Sequence, residues 1–180
     1  MSQINNRSVL TYEVIGMVFI ILLGSALHFT FEWSGNQPIV GAFSAVNESV
    51  WEHLKLAFWP SLLFMLVEYA LLNKKANNFA LAKTVGVYTM VAIIPIIFYS
   101  YTAIIKDNAF IDILTFVVAV IIGQLASYKL LTYKKLAQYL NIIALAALVL
   151  LGLAFVLFTF YPPQLPIFKD PTNGKYGILD

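Results

Sequence analysis

Five apolar stretches, each about as long as a lipid bilayer's hydrocarbon layer is thick, take up most of this chain. The cleanest lies between Lys83 and Lys106, where 22 residues carry no formal charge. At about 1.5 Å of rise per residue such a stretch reaches roughly 33 Å as a helix, and about 20 apolar residues are enough to cross a membrane. The other stretches predict spans over residues 11–31, 54–72, 109–131 and 139–161, with the central one at 84–105. Pro95 falls inside that central span and predicts a local kink, while Pro162 and Pro163 stop the last helix. The expectation is an all-α, polytopic membrane bundle of about five transmembrane helices. It forms one integral membrane domain over 1–180, with an outer loop at 32–53 and a C-terminal outer tail at 162–180.

Composition removes the soluble alternative. Only 11% of the 180 residues are charged and 61% are hydrophobic, against roughly 25% charged in ordinary soluble domains. The formal net charge of +2 is too small and too scattered for nucleic-acid binding, so the bilayer is the partner the composition implies; protein partners and cofactors are left open. With no cysteine, disulfides, thiolate metal sites and cysteine-linked lipids are excluded. Arg7 ahead of the apolar run from Val14 to Leu27 has the form of a signal peptide. The run continues past His28 to Phe31 without a small-x-small cleavage site, and reads as a retained first span.

Lysine and arginine in short loops are retained on the cytoplasmic side. With the N-terminus inside, Arg7, Lys74, Lys75, Lys83, Lys129, Lys134 and Lys135 share the inner face, seven of the eleven basic residues. Lys55, Lys106, Lys169 and Lys175 lie outside. The predicted topology is therefore N-in, C-out.

Helices associate in lipid through small residues and a few polar contacts. Ala119, Gly123 and Ser127 recur every four residues on the fourth span, in one stripe with Asp112, Phe116 and Leu130 and with Gln124 nearby. Ala144, Ala147 and Gly152 offer a weaker stripe on the fifth. Gly16 has no comparable small neighbours, so a bulky side chain at Gly123 is expected to do more harm than one at Gly16. Trp59, Tyr99, Tyr101, Tyr139 and Tyr161 sit near span ends, where amphipathic rings settle at headgroup level.

The segment from Phe31 to Lys55 is not explained by spanning, and it holds three of the nine acids and one of the two histidines. Ser34, Gly35, Asn36 and Pro38 supply turn chemistry. Asn47 reads as a helix N-cap, with Val46 and Trp51 as a hydrophobic staple and Glu48 in the first turn. On a helix beginning there, Glu48, Glu52 and Lys55 fall within about 60° of one another at roughly 100° per residue, and His53 points elsewhere. Glu48 and Glu52 then need Lys55, a cation, a shared proton or water to offset them, and a Glu52–Lys55 pair is the simplest answer. His28 and Glu32 are also four apart, near the same outer end. The candidate outer-face polar cluster is His28, Glu32, Asn47, Glu48, Glu52 and His53. Within it His28, Glu48 and Glu52 are the metal candidates, because carboxylate with imidazole suits hard or borderline metals. The alternative to a site is a polar cap on the bundle's rim.

No complete enzyme motif is present: the two-histidine zinc pattern, a phosphate loop, a nucleophile elbow and a cysteine pair are all missing. Glu68, about a turn from the inner end of the second span, reads as a snorkelling or lysine-paired residue. An alternative function is a small transporter with Glu68, Asp112 and Gln124 along a polar route, or an accessory or structural subunit without catalysis. The tail, with its turn chemistry from Asp170 to Gly174, is expected to fold over the loop from Trp33 to Asn47 and cap His28, Glu48 and Glu52.

The run from Asn47 to Leu56, NESVWEHLKL, is preceded by His28-Phe29 and Glu32-Trp-Ser-Gly35. It is followed near the end by Phe158-Thr-Phe-Tyr-Pro-Pro163, Pro166, Phe168, Asp170-Pro171, Gly174 and Tyr176-Gly-Ile178. In these motifs the chain resembles a family of small bacterial multi-pass membrane proteins known only as a domain of unknown function. Ala45 departs from the proline expected before Val46-Asn47. The resemblance implies a five-helix bacterial membrane protein and brings no activity with it.

Overall fold

A computed structural model of the protein describes residues 6–72 and 76–178. Five long helices form the bundle: α1 (Asn6–Trp33), α3 (Val50–Leu72), α4 (Phe79–Thr102), α5 (Ala109–Thr132) and α6 (Gln138–Phe160). Each is long and apolar enough to cross a membrane. A four-residue helix, α2 (Pro38–Gly41), interrupts the connection between α1 and α3, and a short 3-10 turn (Pro166–Phe168) stands in the tail. Among the described residues there is no strand, only one antiparallel bridge between Lys169 and Tyr176. Lys74 and Lys75, placed in an inner loop by the sequence, lie outside the described residues.

The middle of every expected span is helical, and the boundaries differ where a charge was taken as an end. α4 starts at Phe79 rather than 84, with Lys83 neutralised inside the bundle, and α3 starts at Val50, three residues after the expected cap at Asn47, and runs unbroken into the span expected from 54 with Glu52 and Lys55 paired within it. A paired charge does not force a helix out of the apolar layer. Pro95 stands within α4 and Pro60 within α3, and both helices run on past them.

The helices alternate in direction. Val9, Leu72, Ala82 and Leu131 pack together at the end where α1 begins, here the N-terminal end, and the loop 34–49 and the tail occupy the opposite, tail end. The central core joins Ile20, Leu54, Phe58, Met90, Ala119 and Phe155. Backbones come close between α1 and α3, where a Cβ on Gly24 would meet the Leu56 carbonyl oxygen, and between α4 and α5, where a Cβ on Gly123 would stand 2.7 Å from the Gly86 carbonyl oxygen. Ala119, Gly123 and Ser127 are all buried on that face. Gly16 departs from the expectation of an uncrowded position. A Cβ there would come within 2.7 Å of the Phe64 ring and against the Gln124 amide. The reason is that a glycine opposite two large side chains is as constrained as one in a small-residue stripe.

Candidate functional site

Three side chains converge at the tail end from three segments. His28 projects from α1, His53 from the first turn of α3, and Glu48 from the loop between them. Their facing atoms form a compact triangle: His28 Nε2 to His53 Nε2 is 3.1 Å, His53 Nε2 to Glu48 Oε2 is 3.5 Å, and His28 Nε2 to Glu48 Oε2 is 3.7 Å. The two imidazoles are about one-third exposed and the carboxylate about half, so the triangle is open to solvent on one side.

Local chain chemistry sets each vertex. Asn47 does not cap the helix; α3 begins at Val50, and the Ser49 hydroxyl accepts the Glu52 N–H at 3.4 Å. Asn47 instead accepts the Ser49 N–H through Oδ1 (2.9 Å) and donates through Nδ2 to the Gly177 carbonyl (3.1 Å). This leaves Glu48 in the loop, outside the helix, where it turns toward the histidines. His53 Nδ1 lies 2.9 Å from the Ser49 carbonyl. A carbonyl only accepts, so Nδ1 carries the proton and Nε2 presents its lone pair to the triangle. The neighbouring His28 imidazole holds the Glu48 carboxyl below its ordinary range, against burial that pushes it up.

Glu52 stands apart from this group, unlike in the expected metal set. Its carboxylate pairs with Lys55 at 2.5 Å, and Oε2 also accepts the Val46 N–H (3.1 Å) while Oε1 faces the Thr159 hydroxyl (3.2 Å). Lys55 donates in addition to the Gly41 carbonyl (2.7 Å) and to Thr159 Oγ1 (2.8 Å). The simplest sequence reading, Glu52 with Lys55, is the arrangement found. His53 takes the place reserved for Glu52 because Glu48 is not helical, so helical angles measured from it do not apply.

Glu32 is exposed and lines, with His28, Val46, Asn47 and Glu48, a cleft of about 160 Å³ beside the triangle. The tail closes over the loop. Phe168 packs at a tilt against Trp51 and edge-on to Phe158, and the Ile178 N–H donates to the Thr159 carbonyl. Asp170 Oδ2 accepts the Glu48 N–H at 3.5 Å. Burial raises the Asp170 carboxyl, but hydrogen bonds from the Thr172 hydroxyl and N–H, with those from Glu48 and Asn173, outweigh it and hold the group below its ordinary range. Gly177 sits at φ +60°, with no room for a Cβ between Thr159 and Pro162.

The route proposed through Glu68, Asp112 and Gln124 is not assembled. Asp112 lies at the tail end, accepting from the Tyr101 hydroxyl, whereas Gln124 is twelve residues further along α5, about 18 Å away, and donates to the Glu13 carbonyl. Glu68 joins Glu13 around Lys83, whose Nζ is 2.6 Å from each carboxylate. It is lysine-paired, as expected, but 1% exposed rather than snorkelling. Glu13 escaped the sequence reading altogether. An acid within an otherwise apolar span was the signal that would have found it.

Imidazole, imidazole and carboxylate around one point suit zinc, which takes bonds of about 2.0–2.2 Å at tetrahedral angles and so holds its ligand atoms roughly 3.3–3.6 Å apart. A point about 2.1 Å from all three atoms of the triangle lies roughly 0.6 Å off their plane, as for a tetrahedral ion with one position left over. Held by His28, Glu48 and His53, such an ion would acidify a bound water or polarise a carbonyl or phosphoryl oxygen.

Residues 1–178 match the model of a family of unknown function (DUF6512). No curated protein and no solved structure matches the chain.

Proposed function

Because the chain belongs to this family of unknown function, its activity has to be read from its own residues, and we propose that it is a multi-pass membrane protein that binds a divalent transition-metal ion, zinc by ligand type, through His28, Glu48 and His53. The observation that carries the reading is the triangle of donor atoms, whose sides of 3.1, 3.5 and 3.7 Å bracket the ligand spacing of a tetrahedral ion. The Ser49 carbonyl behind His53 supports it, because a hydrogen bond on the far ring nitrogen is the usual companion of a metal-bound imidazole. The cleft lined by His28, Glu32 and Glu48 leaves room for a water or a small ligand at the remaining position.

Metal content of the detergent-purified protein, after equilibration with zinc and removal of the unbound ion, tests this. One zinc per chain is expected, lost in His28→Ala and in His53→Ala and kept in Glu32→Gln. A wild-type protein without metal, or equal content in all four proteins, overturns the reading.

The same proposal puts the site on the outer side of a cytoplasmic membrane, on the lysine and arginine asymmetry. Reporter fusions after Lys75 and after Asp180 should then report inside and outside respectively. The opposite pair of results reverses the orientation without touching the metal site.

A further inference from the structure

We propose that Glu13 and Glu68 together hold one exchangeable proton, so that the cluster around Lys83 is a buried proton-binding site near the N-terminal end of the bundle, independent of the metal triangle.

Three ionisable side chains meet here from three helices: Glu13 from α1, Glu68 from α3 and Lys83 from α4. They are 0%, 1% and 5% exposed. The ammonium is 2.6 Å from Glu13 Oε1 and 2.6 Å from Glu68 Oε2. From α5 come only Ser127, which donates to Glu13 Oε1 at 3.0 Å, and Gln124, which donates to the Glu13 backbone carbonyl; neither titrates. Among the described residues, two carboxylates against one ammonium leave a net negative charge in an interior that solvates it poorly. One proton makes the cluster neutral.

The hydrogen bonding points to the same conclusion. Among the described residues, Glu13 Oε2 and Glu68 Oε1 are buried without a partner. A fully ionised carboxylate at such a position wants donors on both oxygens, and an orphaned oxygen on each of two adjacent acids marks where a proton fits. Lys83 sits at equal distance from the two groups. The proton therefore has two nearly equivalent homes, and the pair titrates as a unit. Glu68 is four residues from the end of α3 and Lys83 four residues from the start of α4, about 6 Å of helix in each case. The cluster thus lies about one helical turn inside that end, beneath the packed Val9, Leu72, Ala82 and Leu131, so the proton exchanges through a local opening of that layer while the carboxylates stay out of bulk solvent. Binding takes a proton from water onto one carboxylate oxygen, and release returns it; no other bond changes.

Infrared spectra of the detergent-purified protein at neutral pH test the proposal through the carbonyl stretch of a protonated carboxylic acid. The wild-type protein should show this band, shifted in heavy water and weakening as pH rises. Glu13→Gln and Glu68→Gln should each remove it, because the remaining carboxylate then balances Lys83 alone. Both substitutions replace a neutral acid by a neutral amide of the same shape, so both proteins should fold. Lys83→Met should roughly double the band, since two acids must then be neutral. A wild-type spectrum indistinguishable from those of both glutamine variants overturns the proposal, and means that both acids are ionised or that a metal cation balances them. A band that neither heavy water nor pH alters overturns the exchangeability.

Discussion

Two groups of buried charge lie at opposite ends of α3, and they are built on opposite principles. At the tail end one carboxylate, Glu52, meets one ammonium, Lys55. All three protons of that ammonium are used, on Glu52, Gly41 and Thr159, and both carboxylate oxygens have partners. At the N-terminal end two carboxylates meet one ammonium and two oxygens are left over. The first group is closed in charge and in hydrogen bonds, and it ties α3 to the 41–46 loop and to α6. The second is open by one unit of charge. A buried pair with every bond made holds a structure in one arrangement; a buried group short of a proton is suited to gaining and losing one.

The comparison predicts unequal costs for similar substitutions. Glu52→Gln leaves Lys55 charged and unpaired in the interior, and should cost about 3–5 kcal/mol of stability, read as a large fall in thermal midpoint in detergent. A Glu52→Gln protein as stable as wild type breaks the contrast between the two groups. Thr159→Val is the next largest effect. It takes a hydroxyl from between Lys55 and Glu52 and should cost about 1–3 kcal/mol, with metal content unchanged.

Asp170→Asn should cost less, about 1 kcal/mol, because it weakens the turn that holds the tail above the loop. Wild-type tail docking should share this dependence. The Asp170 carboxyl is held below its ordinary range, so its contribution is complete above the ordinary carboxylate range and disappears as pH falls through the lowered value. Proteolysis of the tail, followed from neutral to acid pH, should accelerate only in strongly acid solution, and Asp170→Asn should flatten the profile. The smallest effect is expected for Glu68→Gln, within about 1 kcal/mol of wild type, since the open group already holds one neutral acid. A loss as large as that of Glu52→Gln would erase the distinction.

These two groups also show what a sequence reading of this chain can and cannot reach. Hydropathy locates the middle of all five helices, since about 20 apolar residues leave few alternatives in 180. It misplaces the start of α4, because Lys83 looks like a boundary until its partners are known. Glu52 with Lys55 is legible as neighbours three apart on one helix. Glu13 with Lys83 is not, because 70 residues separate them and only packing brings them together. The tail over the loop is legible from its turn residues and its apolar character, and contacts from Gly177 and Asp170 to the loop residues 47 and 48 agree with it.

The triangle of His28, Glu48 and His53 lies between these cases. His28 and Glu48 stand out as polar residues near one end, whereas His53 is placed by the choice of where α3 begins. Starting the helix at Asn47 turns His53 away; starting it at Val50, with Ser49 as the capping side chain, leaves Glu48 free to meet both histidines. A shift of about one turn in a helix start decides which side chains meet at the triangle.

Cobalt(II) substituted for zinc tests that set most directly, since its visible absorption reports coordination geometry as well as binding. The account predicts the intense absorption of a four-coordinate ion, at one cobalt per chain, in the wild-type protein and in Glu32→Gln, and its loss in His53→Ala. A weak, octahedral-type spectrum in the wild-type protein that persists unchanged in His53→Ala would contradict it.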